Sequence, residues 1–359
     1  MQAIAVERGT NRPVLVDIAR PDRAPGEALV RTLRVGVDGT DHEVIAGGHG
    51  GFPDGEDRLV LGHEAVGVVE DSGDTRFSRG DVVVPTVRRP PGETNEYFER
   101  GEADMAPSGA YYERGIEGAH GFMAEYFTSP EECLVSVPRS IADIGFLIEP
   151  LSVAEKALEL AAASRSSFGW TPESALVLGN GSLGLLALAL LDERADYDRL
   201  YCLGRRDRPD PTIDVIEGLG ATYVDSRRTP LPDVADAHEP MDLVFEATGY
   251  AKHAFETIEA LAPNGVGALL GVPGPWEFEI DGGDLHREFV LHNKALVGSV
   301  NSNVRHFEAA AATLDRLPAW FTDAMVSGVY GFDDFEAAFD DDDTTIKTAV
   351  QFSAYEERR

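Results

Sequence analysis

The chain has 359 residues, enough for two cores, since single cores rarely grow beyond about 250–300 residues. It carries 63 acidic against 31 basic residues, a formal charge of −32, which excludes nucleic acid as a natural partner because phosphate repels such a surface. No apolar run reaches the roughly 18 residues that a membrane span needs, and the start, Met1 to Arg8, lacks the basic-then-apolar pattern of a secretory signal.

Only four lysines occur, Lys156, Lys252, Lys294 and Lys347; the other 27 basic residues are arginines. Acid excess with scarce lysine resembles the composition of proteins that work in molar salt. There the Debye length falls to about 3 Å and self-repulsion is screened. The acids are spread along the chain and mixed with apolar segments, which argues against disordered acidic tails. Two cysteines, Cys133 and Cys202, are too few for a disulfide framework, so a cytoplasmic location is expected.

The first elements read as short strands. Residues 28–35, 65–70 and 81–85 are apolar runs separated by Gly, Pro and Asp. Residues 88–120, rich in Arg, Pro, Gly and Glu, read as an irregular lobe. From about residue 155 strands and helices alternate. Strand-like runs at 175–178, 200–203, 243–246, 267–270 and 295–298, with an apolar helix at 185–191, predict βαβ units and a parallel sheet. Residues 345–352 read as a last strand, and the acidic run 340–343 as a solvated turn.

Residues 179–184 read Gly-Asn-Gly-Ser-Leu-Gly between a strand and an apolar helix. In that context a G-x-G-x-x-G binds a dinucleotide: Gly179 permits the tight turn, Gly181 lets backbone approach the pyrophosphate and Gly184 packs the helix on the sheet. The helix N-terminus then offers N–H groups to the phosphates. The next strand ends in Gly204-Arg205-Arg206, where an NAD-specific site carries an acid. Guanidinium forks match phosphate oxygens, so Arg205 and Arg206 are expected to hold the 2′-phosphate of NADP. Asp207 leaves NAD as a lesser cofactor.

A catalytic zinc keeps three protein ligands and an open position. Asp38, His63 and Glu149 could supply them. Taken singly, each has an ordinary alternative: a turn residue beside Gly39, a strand-edge histidine, a helix N-terminal acid. Only their combination points to a metal, and a carboxylate inside the apolar run around Glu149 is costly unless paired or metal-bound.

The ordered segments V-G-V-D-G-T-D-H from Val35, G-H-E-A-V-G from Gly62, V-V-P-T-V-R-R-P from Val83, G-A-H-G-F-M-A-E from Gly118, Glu149-Pro150, the fingerprint and Gly298-Ser-Val-Asn span nearly the whole chain. Together they resemble the glucose dehydrogenase branch of the zinc-dependent medium-chain dehydrogenases, and among these the haloarchaeal enzymes, which carry aspartate where the wider family has a cysteine ligand. The resemblance implies an α/β protein. A GroES-like, β-rich catalytic domain (1–154 with 293–359) would accompany a Rossmann, doubly wound parallel-sheet domain (155–292).

It also implies site roles. Asp38 and His63 would bind zinc, with Glu149 a third ligand, direct or through water, and Glu64 an acid able to approach the metal. Thr40 would meet the reacting hydroxyl. Glu113 and Asn301 would hold other sugar hydroxyls, as would Glu149. Asn180, Gly181, Ser182 and Leu183 would meet the pyrophosphate. Leu270, Gly271, Val272, Ser299, Val300 and Asn301 would line the nicotinamide. The lobe lacks the four cysteines that hold a structural zinc in many relatives, so one zinc per chain is expected. The implied reaction is oxidation of a sugar at its anomeric carbon, with Glu64 or Glu149 helping the proton leave. Rival readings are a dehydrogenase of another aldose or polyol, and a non-catalytic NADPH-binding protein. A homodimer or homotetramer is the expected assembly.

Overall fold

The structure, a computed structural model, describes residues 1–340, 342 and 344–355. The acidic run 340–343 therefore lies partly outside the described residues; within it, the Asp342 carboxylate accepts from the Thr344 and Thr345 hydroxyls. Among the described residues no helix is long and apolar enough to cross a membrane.

The chain forms two compact units, residues 1–152 with 301–359, and residues 153–300. Both boundaries differ from the expected ones, 152/153 against 154/155 and 300/301 against 292/293. The strand Ala295–Gly298 pairs in parallel with Leu261–Leu269, so hydrogen bonding ties residues 295–298 to the second unit.

The first unit is built on a seven-stranded sheet centred on the long strand Glu27–Val37. Its neighbours Glu64–Asp71 and Lys347–Gln351 run antiparallel to it. Val, Ala and Leu recur on both faces because this strand is covered on both sides, and its burial is nearly continuous. Gly36 faces Glu64 across the first pairing and Ala349 across the second. A Cβ on Gly36 would lie 2.1 Å from Glu64 Oε2, so glycine makes room there for a carboxylate. The lobe at 88–120 is mostly irregular, as expected, around a small sheet of Arg88–Arg89, Tyr112–Arg114 and Gly118–Ala119.

The second unit holds a six-stranded parallel sheet. Its order is Thr222–Asp225, Arg199–Gly204, Ser174–Leu178, Met241–Glu246, Leu261–Leu269, Ala295–Gly298. The first of these was not anticipated: Thr-Tyr-Val-Asp is short, polar and at the sheet edge, so its pattern is weak. The helix Ser182–Arg194 buries Gly184 through Leu191.

Candidate active site

In the first unit the strand Glu27–Val37 ends at Asp38, which caps the helix Gly39–Ala46. Asp38 and Asp41 form a capping box, each carboxylate accepting from the other's backbone N–H. The same helix start places Thr40, whose hydroxyl donates to Asp38 Oδ2 at 3.1 Å. Asp41 Oδ1 accepts from the Gly62 N–H at 3.2 Å and so holds the turn that presents His63.

His63 Nε2 faces Asp38 Oδ2 at 3.6 Å, and His63 Nδ1 lies 4.0 Å from Asp41 Oδ1. Both are too long for hydrogen bonds, and Nδ1 is buried without a partner. Asp38, His63 and Glu64 each offer a ligand atom, all within 4.8 Å of one another. Glu64 meets the Lys347 ammonium, with Oε1 at 2.6 Å and Oε2 at 2.5 Å, and both side chains are almost wholly buried. Glu149 is buried in the first turn of the helix Ile148–Ser164. It stands outside that three-residue group, yet its charge acts on His63.

The electrostatics describe a pocket that holds too many acids for its cations. Burial pushes Glu149 up to about 8, with Glu64 and Asp38 adding repulsion against the pull of His63 and Lys347. Burial likewise pushes Asp41 up to about 7. Asp38 resists burial because His63 and Lys347 hold its carboxyl well below the usual range. His63 is raised well above its ordinary value: burial opposes its charge, but Asp38, Asp41 and Glu149 outweigh it. A dication here would relieve this crowding, and carboxylate oxygen with imidazole nitrogen is a donor set that zinc accepts. The residues fit the metal.

Two other expected residues also meet. Asn301 Nδ2 donates to Glu113 Oε1 at 3.1 Å, and Asn301 takes the left-handed backbone with φ of 55°. Glu113 Oε1 also accepts from Arg88 Nε at 3.0 Å, while the Arg88 guanidinium donates to the Asp104 carbonyl and lies over the Tyr111 ring. Sequence reasoning missed Lys347, Asp41 and Arg88. Lys347 carried a signal, as one of four lysines and set in an apolar strand; the other two look like ordinary turn and loop charges.

In the second unit the fingerprint has the expected build. A Cβ on Gly184 would sit 2.0 Å from the Gly179 carbonyl oxygen, whereas one on Gly181 would meet open space. Gly181 is the N-cap of the helix and supplies no side-chain hydrogen bond, which leaves the helix N–H groups for a ligand. Asn180 Nδ2 bonds Thr212 Oγ1 at 2.5 Å, and Ser182 and Leu183 open the helix. Arg205 and Arg206 leave the end of the strand Arg199–Gly204, with the Arg206 backbone pinned by the Tyr223 hydroxyl. Leu270 and Gly271 donate their N–H groups to the Glu246 carbonyl, and Ser299 donates to the Leu269 carbonyl. Val272 and Val300 are exposed.

A nucleotide-binding parallel sheet combined with a β-rich domain carrying Asp38, His63 and Glu64 is the plan of a zinc-dependent medium-chain dehydrogenase. Residues 24–139 match the alcohol dehydrogenase GroES-like domain, and residues 142–352 match the glucose dehydrogenase C-terminus. The chain is 69% identical over 356 residues to glucose 1-dehydrogenase of Haloferax mediterranei, covering 98% of this chain and 99% of that one. It is 67% identical over 363 residues to glucose 1-dehydrogenase 1 of Haloterrigena turkmenica, covering 98% and 100%. A solved structure of Haloferax mediterranei glucose dehydrogenase in complex with NADP, Zn and gluconolactone superposes with a TM-score of 0.97. It is 68% identical and covers 99% of this chain and 100% of that chain. The chain belongs to the glucose dehydrogenase family.

Proposed function

We propose that this chain oxidises β-D-glucose at C1 to D-glucono-1,5-lactone, passing hydride to NADP, with NAD a lesser acceptor, and with one zinc per chain. The observation that carries the reading is the convergence of Asp38 Oδ2 and His63 Nε2 at 3.6 Å, beside Glu64 and with no hydrogen bond between them. The complex of the Haloferax mediterranei enzyme with NADP, Zn and gluconolactone supports the same chemistry.

Asp38 and His63 would hold the zinc, with Glu64 and Glu149 exchanging as the carboxylate nearest to it. Bound there, zinc would act as a Lewis acid on the anomeric hydroxyl. The chain's own groups do the rest. Thr40, now donating to Asp38, would turn its hydroxyl to the reacting oxygen. Asn301 and Glu113 would hold other hydroxyls, leaving Glu113 Oε2 for the sugar because Oε1 already accepts from Arg88 and Asn301. Glu64 or Glu149 would help the departing proton leave. The fingerprint N–H groups would fix the pyrophosphate, and residues 270–272 and 299–301 would line the nicotinamide. We expect a homodimer or homotetramer working in the cytoplasm.

The test is turnover in molar KCl with D-glucose, D-galactose, D-xylose and sorbitol, using NADP and NAD, before and after chelation and zinc return. D-glucose with NADP should be the best pair, and activity should vanish on chelation and return with zinc. Preference for another sugar would select the rival aldose or polyol reading. Coenzyme binding without any sugar turnover would favour a binding protein.

A further inference from the structure

The parallel strands Arg199–Gly204 and Thr222–Asp225 end in register, with Gly204 opposite Asp225, and the Ser226 N–H donates to the Gly204 carbonyl at 2.9 Å. The position that carries an acid in NAD-specific sites is therefore glycine here, but an acid stands beside it on the next strand. A second, Asp207, follows three residues after Gly204 with its side chain 80% exposed. Carboxylates so placed would bind ribose hydroxyls and repel a 2′-phosphate.

Both carboxylates are engaged by one arginine. Arg227 Nε and Nη2 bind Asp225 Oδ1 and Oδ2, both at 2.9 Å. Its Nη1 and Nη2 bind Asp207 Oδ2 and Oδ1 at 2.9 and 2.7 Å. Nη2 also reaches the Arg206 carbonyl at 3.3 Å. One guanidinium thus forks onto two carboxylates and occupies all four oxygens. Hydrogen bonds from Arg227 hold Asp207 and Asp225 below the usual carboxylate range. The pair with Asp207, whose side chain is mostly exposed, adds little to stability, so that contact calls for another purpose.

We propose that Arg227 is a positioning residue for coenzyme choice: by sequestering Asp207 and Asp225 it leaves the strand end at Gly204 to Arg205, Arg206 and a 2′-phosphate. This rests on the NADP reading above. Without Arg227 the site gains one negative charge, and Asp207 is free to accept from a ribose diol. Bidentate contact matters because molar salt screens charges beyond about 3 Å.

Dissociation constants for NADPH and NADH, from nicotinamide fluorescence in molar KCl, test this without turnover. The wild-type chain, Arg227→Ala, and Arg227→Ala combined with Asp207→Asn and Asp225→Asn are compared. Arg227→Ala should shift the preference about tenfold toward NADH, and the added asparagines should restore NADPH binding. A wild-type chain without preference for NADPH would defeat the NADP reading. A wild-type preference that Arg227→Ala leaves within about twofold would overturn the role of Arg227 while NADP stands. So would a loss that the asparagines do not rescue, since Arg227 would then act only through loop structure.

Discussion

Glu64 and Lys347 are 283 residues apart and meet where two strands flank Gly36. Each alone would be a buried charge with a heavy desolvation cost; together they neutralise one another beside Asp38 and His63, the proposed metal ligands. Removing one partner strands the other. Lys347→Met should lower unfolding stability by about 3 kcal/mol, and pairing it with Glu64→Gln should recover part of that loss. Denaturant unfolding in molar KCl reads both, and a loss under about 1 kcal/mol for Lys347→Met would show that the pair is immaterial. Asp38 has a similarly double part: it caps a helix and faces His63, so its capping hydrogen bonds orient the carboxylate proposed to bind the metal.

At the scale of elements, the strand–turn–helix at 174–194 is built from contiguous residues. Its close contact between Gly184 and the Gly179 carbonyl admits no side chain. Gly184→Ala should lift the helix from the turn and weaken NADPH binding more than about tenfold. The metal cluster, in the other unit, should keep its zinc, and zinc content by elemental analysis with NADPH titration separates the two effects. This piece was legible in the sequence because its residues are contiguous and its glycines have steric reasons to be there. The edge strand Thr222–Asp225 was not legible, since four residues of mixed polarity have no period that distinguishes them from loop.

For the whole molecule the formal charge of −32 dominates. Lowering KCl should lower the melting temperature steadily, because self-repulsion is then unscreened. Acid should weaken the surface ion pairs, with a definite sign. Hydrogen bonds from Arg227 lower Asp207 and Asp225, and those from Arg208 and Arg199 lower Glu217 and Glu239. A carboxylate with a depressed folded pKa stabilises above its unfolded value, 3.8 for Asp or 4.5 for Glu, and loses that contribution as pH falls through the folded value. These pairs lie at the surface and each adds little to stability. What Arg227 contributes, read as the melting-temperature difference between the wild-type chain and Arg227→Ala at fixed KCl, should be present above about pH 5 and fade by about pH 3; a difference that does not shrink in acid would contradict these pairings.

Glu113 and Asn301 were named only through the family resemblance; by itself the sequence determined the fold class, the alternation of strands and helices, the fingerprint, and the separate candidates Asp38, His63 and Glu149. These are written in local period, in spacing and in residue chemistry, all carried by neighbours along the chain. Only tertiary structure decided that Lys347 neutralises Glu64, that Arg88 and Asn301 share one oxygen of Glu113, and that Arg227 closes over Asp207 and Asp225. A charged side chain in a sequence names no partner. Strand register and the folding back of distant segments choose it, and burial then sets what that partnership is worth.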